Sequence, residues 1–218
     1  MTRRDPQFVI ATPPFAKRAV DTPAIMRHVI YALVPVMIAA VYFFGVSALL
    51  LIAVCTGTCM LLEWLLTGRG NLGNSPVRDG SAAVTGILLA LTLPPGLPLW
   101  MAALGSAVAI VFGKLLFGGL GQNVFNPSLT GRAFLQACFP VALTTWSPQG
   151  GLGAFLEMRG DTLALPLLRP VFDGISAATP LARMKFESEP TDLGALLFGT
   201  IPGSLGETSA ILILLGGA

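Results

Sequence analysis

Charge is scarce in this sequence. Only 11% of its 218 residues are Asp, Glu, Lys or Arg, where soluble domains carry about 25%. A chain so poor in charge does not have the composition of a water-soluble domain. Its 13 basic residues outnumber its 11 acidic ones by only two and lie scattered among apolar runs, so no basic face is offered to a nucleic acid. Cysteine occurs three times, at Cys55, Cys59 and Cys138, and histidine once. No C-x-x-C pair and no histidine cluster accompany these cysteines, and no metal site is expected. Cys55 and Cys59 share a helix face four residues apart and read as small packing residues rather than a redox pair. No cleavable leader is expected, because prolines interrupt the first 27 residues and no small-residue cleavage site follows the first apolar run.

Apolar length is what the sequence has in abundance, with 54% hydrophobic residues. About 20 residues cross the hydrocarbon core of a bilayer, and two runs of near-spanning length, 29–46 and 47–66, meet at a turn on Gly45 and Ser47. Further runs follow at 81–93, 99–117 and 133–145, of which the first and last are short. Residues 1–28, with Arg3, Arg4, Lys17, Arg18 and Arg27, form a basic arm, and the loop 67–80 carries Arg69 and Arg78. Both are expected on the cytoplasmic side by the positive-inside rule. Glu63, beside Trp64 near the end of the second run, is expected to reach the headgroup level, with a place on an ion path as the other reading. The third run stops at L-P-P-G-L-P, and a broken membrane helix is tolerated where it lines a cavity or ligand site. This organisation predicts an all-α integral membrane protein of about five membrane helices over 29–145. A loop over 146–206, net acidic and on the trans side, follows. A further helix is expected to start at Glu207 and to be cut off at Ala218, before the fold is complete.

Two polar islands carry the candidate chemistry. In G-G-L-G-Q-N-V-F-N-P-S-L-T-G-R (118–132) the glycines fail the dinucleotide pattern, because Val124 holds its third glycine position and no strand precedes. Asn123 and Asn126 are better candidates: two amides three residues apart, beside a proline that starts a helix, with the mixed donors and acceptors that a flavin or quinone edge needs. The other island is V-F-D-G-I-S-A-A-T-P (171–180). Pro180 biases Thr179 away from helix toward an extended, accessible backbone. Without further context this is also ordinary turn chemistry.

The run Asp173 to Thr179 resembles D-G-x-[ST]-[GAS]-A-[ST], the signal at which a flavin transferase joins FMN to threonine through a phosphodiester. Together with S-P-V-R-D-G-S-A-A-V-T-G, L-P-P-G-L-P, G-Q-N-V-F-N-P-S-L-T-G-R-A-F-L and G-S-L-G-E-T-S-A, it makes residues 20–218 similar to one family. That is the NqrB/RnfD family of membrane flavoproteins, the integral-membrane flavin component shared by the Rnf electron-transport complex and the sodium-pumping NADH:quinone reductase. The short N-terminal arm resembles the RnfD branch more.

The resemblance implies a ten-helix protein of two related five-helix halves, the first of them present here. It implies FMN on Thr179, with Asp173, Gly174, Ser176 and Ala178 as recognition residues, and a non-covalent riboflavin near Asn123 and Asn126. It further implies a multi-pass inner-membrane electron carrier with no NADH site and no catalytic residue of its own. Such a carrier would serve ferredoxin:NAD⁺ oxidoreduction coupled to Na⁺ or H⁺ movement. Its expected partners are other Rnf subunits, especially the periplasmic FMN-bearing one, an FMN transferase and lipid. A small-solute channel or transporter shares broken helices and repeated halves, but has no use for D-G-x-S-A-A-T.

Overall fold

The computed structural model describes residues 21–67, 76–166, 177–207 and 209–217. Within them every regular element is a helix: α1 Thr22–Phe44, α2 Val46–Thr67, α3 Ser81–Leu91, α4 Leu99–Val111, α5 Pro127–Cys138, α6 Pro140–Thr144, α7 Pro180–Phe186, α8 Leu193–Phe198 and α9 Ala210–Gly217. Among the described residues three stretches are long and apolar enough to cross a membrane: Thr22–Phe44, Val46–Thr67 and Leu99–Phe117. At about 1.5 Å per residue, 23 and 22 residues rise about 33–34 Å, enough for a core of about 30 Å. The protein is an all-α integral membrane protein.

Helix α1 starts at Thr22, earlier than the apolar run alone implies. Pro23 sits in its first turn, where a missing N–H costs nothing, so Arg27 and His28 belong to the helix and not to the arm. The turn between α1 and α2 rests on Gly45 alone, at φ 66°; Ser47 already lies in α2. A Cβ on Gly45 would strike the carbonyl of Phe155, so both the backbone angle and the close approach require glycine there.

Helix α2 is the centre of the bundle, packed on α3 and α4. The crossing with α3 is tight because Gly86 has no side chain: a Cβ would lie 2.5 Å from Thr56 Cα. Phe44, Leu51, Leu89, Leu93, Leu97 and Leu135 are fully buried in one core to which α1, α2, α3, the α3–α4 loop and α5 contribute. The apolar residues of α1 and α2 that stay exposed, such as Tyr31, Ile38, Leu49 and Leu61, mark faces suited to lipid rather than water.

Helix α3 has 11 residues and rises only about 16 Å, roughly half a membrane. Its broken end is not left unpaired. Leu91 O accepts from Gly206 N (2.7 Å) and Leu93 O from Leu205 N (3.1 Å), so the G-S-L-G-E segment returns to satisfy the carbonyls freed by L-P-P-G-L-P, as a break inside a membrane requires. The fifth run also differs from expectation. The helix begins six residues earlier, at Pro127, because the Asn126 side chain caps it by accepting from Ser128 N (3.1 Å). It breaks at Phe139 before Pro140, which starts the short α6. The last helix likewise begins at Ala210 rather than Glu207.

One end of the bundle gathers Gly45, the α3–α4 loop and the residues after α6. There Gln149 Nε2 donates to Gly199 O and Ile201 O, at 2.6 Å each, tying the two ends of the long polar segment together. The opposite end gathers the close of α2, the 3₁₀ turns Pro76–Asp79 and Leu115–Phe117, and the glycine-rich island.

Candidate functional site

Thr179 stands immediately before α7. Its backbone is extended (φ −68°, ψ 156°), and its Oγ1 accepts from Ala182 N at 3.3 Å as the N-cap. Pro180 produces the first of these features by disfavouring α-helix at the preceding residue, and the hydroxyl produces the second. The residue is half-buried beside an exposed Ala178. Among the described residues the hydroxyl is seen only as an acceptor, in the cap. Asp173, Gly174 and Ser176 lie outside the described residues.

Upstream, Ala177 N donates to Trp146 O at 2.8 Å. That bond fastens the approach to Thr179 against a segment whose neighbours, Thr145 and Ser147, line a cavity of about 670 Å³. The size falls within the range of small-molecule and cofactor sites, about 300–1,000 Å³. One wall is aromatic: Trp100 and Phe139 meet edge to face, 5.4 Å between centroids and 84° between planes. Arg159 and Asp161 also belong to its lining.

The other end of the bundle holds a site that the sequence does not reveal. Glu63 does not turn outward as an interfacial acid would; it is 1% exposed and pairs with Lys114, Nζ to Oε1 at 2.5 Å. Lys114 Nζ also donates to Ser81 Oγ (2.5 Å), and Ser81 Oγ donates to Asp79 Oδ1 (2.6 Å). The interfacial expectation fails because the carboxylate faces α4 and α3 rather than lipid, and its cation lies 51 residues away, invisible to any local window. Burial of an ion pair requires such matched partners. The second carboxylate oxygen, Glu63 Oε2, has no hydrogen-bond partner among the described residues.

Asn123 and Asn126 fall at this same end, but not as two buried amides. Asn126 is exposed and committed to capping α5; Asn123 is half-buried and its Nδ2 reaches only Phe125 O, at 3.4 Å. The reason is local: an amide followed by proline is the preferred start of a helix. Cys55 and Cys59 are fully buried along α2, their sulfurs facing Ala102 O and Ser106 O of α4. The third, Cys138, is exposed at the end of α5.

Several known proteins align with most of this chain. The D subunit of an ion-translocating oxidoreductase complex from Rhodobacter capsulatus is 38% identical over 209 residues, covering 88% of this chain and 57% of the relative. The D subunit of a proton-translocating ferredoxin:NAD(+) oxidoreductase complex from Clostridium ljungdahlii is 36% identical over 222 aligned residues, covering 96% of this chain and 61% of the relative. An ion-translocating oxidoreductase D subunit from Sodalis glossinidius is 40% identical over 191 residues, or 82% of this chain and 55% of the relative. The chain thus spans little more than half the length of the curated relatives it matches. The sequence profile of the NQR2, RnfD, RnfE family matches residues 9–218, and the chain belongs to that family.

Proposed function

We propose that this chain is the flavin-bearing membrane unit of a redox-driven, ion-translocating oxidoreductase complex of the ferredoxin:NAD⁺ type, with FMN attached to Thr179. The observation that carries the reading is the presentation of Thr179: a half-buried, extended, pre-proline hydroxyl that closes a D-G-x-S-A-A-T run. FMN supplies electron carriage when attached, and the protein's part is to hold and tune it. Thr179 Oγ would form the bond to phosphorus of FMN as the pyrophosphate bond to AMP in FAD breaks. Its proton would leave to a base of the separate transferase, so the acceptor need only be accessible and well presented. Ala177 and Ala178 keep the approach open. Asp173, Gly174 and Ser176 are assigned to recognition by the transferase.

In this reading the Thr179 end faces the periplasm and the Glu63 end the cytoplasm of an inner membrane. The other subunits of the complex, above all a periplasmic FMN-bearing one, exchange electrons with the attached flavin. Non-covalent riboflavin near Asn123 and Asn126 belongs to the same proposal. With Asn126 engaged as a cap, Asn123 is the freer donor there, beside the exposed Val124 and Phe125. The NqrB role in a sodium-pumping quinone reductase remains the alternative within the family.

In-gel ultraviolet fluorescence of the denatured protein tests the attachment. The wild-type band is expected to fluoresce and to carry the extra mass of one FMN, and Thr179→Val to lose both. A Thr179→Val protein that keeps covalent flavin would place the linkage elsewhere.

A further inference from the structure

Arg183 lies one helical turn past Thr179, and the backbone locks the two in register: Arg183 N donates to Thr179 O at 3.0 Å. Residues four apart on a helix are neighbours on one face, about 5–6 Å between Cβ atoms. The Cα–Cβ bonds of a helix tilt toward its N-terminus, so a long side chain lies over the turn that precedes it. For Arg183 that is the turn Thr179 opens. The side chain is exposed, and among the described residues it forms no ion pair and no hydrogen bond. Glu187, one turn on, is the natural counterion, but arginine before glutamate is the weaker order for a pair at this spacing. That pair is not made. The second cation of α7 is diverted, since Lys185 Nζ stands 5.3 Å from the centre of the Phe186 ring. The helix therefore keeps one uncommitted guanidinium on the face that carries its threonine.

We propose that Arg183 holds the phosphate of the FMN attached to Thr179, neutralising its charge and limiting the swing of the tether. The inference rests on the Thr179 reading and adds a residue that reading does not use. A phosphodiester on Thr179 Oγ1 carries one negative charge and two free oxygens, and the guanidinium fork matches such a pair of oxygens. None of residues 177–182 is charged, and Pro180 has no backbone N–H to offer. Within this stretch of chain Arg183 is therefore the first cation after the attachment point. The contact is open to solvent, so it is modest in strength and weakened by salt.

The test is limited tryptic digestion of the purified protein in detergent, because trypsin must take the Arg183 side chain free of its partner to cut after it. Initial cleavage after Arg183 is read against cleavage after Lys185, in flavinylated wild type and in Thr179→Asn, which keeps a cap but has no acceptor hydroxyl. At low salt the flavinylated protein is expected to show an Arg183-to-Lys185 cleavage ratio about two- to fivefold lower, the range of an exposed ion pair. At about 0.5 M salt the difference is expected to fade, as screening requires. In a second measurement, Arg183→Gln is expected to move the phosphorus-31 resonance of the phosphodiester, and Arg183→Lys to restore part of the shift. Equal ratios with and without flavin, or a protection that salt leaves unchanged and so reflects bulk alone, overturn the role of Arg183 while leaving Thr179 as the attachment site. A phosphorus resonance indifferent to Arg183→Gln does the same. Wild-type protein without covalent flavin on a denaturing gel overturns both.

Discussion

Thr179 performs two tasks with one oxygen, and a single substitution confounds them. Its Oγ1 caps α7, so Thr179→Val removes both a nucleophile and a cap worth about 0.5–2 kcal/mol. Thr179→Asn separates the two, because asparagine caps at least as well as threonine but offers no hydroxyl. The Asn variant is expected to fold like wild type and to show no fluorescent band on a denaturing gel. Ser176→Ala, which removes the nearest competing hydroxyl, is expected to retain some of the band, since it alters recognition without touching the acceptor. At the opposite end, Asn126→Ala is expected to cost about 1 kcal/mol as a lost helix cap, measured by thermal unfolding in detergent. If the Asn123→Ala, Asn126→Ala pair also leaves the riboflavin content of the purified protein unchanged, the two amides are structural only. The pattern N-P marked a helix start at Pro127. It could not reveal that capping would leave Asn126 in solvent, because exposure depends on how α5 docks onto α3 and α4.

Among the elements, the join of α2 to the segments around α3 and α4 rests on the Glu63–Lys114–Ser81–Asp79 chain of contacts. Removing one partner of a buried pair strands the other charge, at a cost of about 3–5 kcal/mol, whereas replacing both by apolar groups is often close to neutral. Glu63→Met and Lys114→Met are each expected to lower unfolding stability in detergent markedly, and the double variant to recover much of the loss. Additive losses in that cycle would mean the two side chains do not act as a pair. Hydropathy located α1, α2 and α4 because a long apolar run is its own signal. It misjudged Glu63 because a carboxylate in a membrane helix is neutral information until its counterion is known. The shortness of α3 was legible in L-P-P-G-L-P, whereas the partner that closes its broken end, about 110 residues downstream, was not. The early start of α5 follows from N-P, a local signal that outweighs the polar composition of its first turn.

Across the whole molecule, the order of turns assigns each polar segment to one of two ends. A reporter fused after residue 70 and another inserted near residue 160 are expected on opposite sides of the membrane, the first cytoplasmic and the second external; both on one side would break the assignment. The two ends differ in how they can change. Gln149 clasps Gly199 and Ile201, so the two ends of the polar segment meet at nearly one point, while Phe155, Arg159 and Thr162 within it are tied back to α2 and α4. For a loop closed in this way, doubling its length costs only about 0.6 kcal/mol. Its exposed stretch around Glu187–Pro190 is accordingly a place where natural variation in length, or an inserted purification tag, would leave the membrane helices undisturbed.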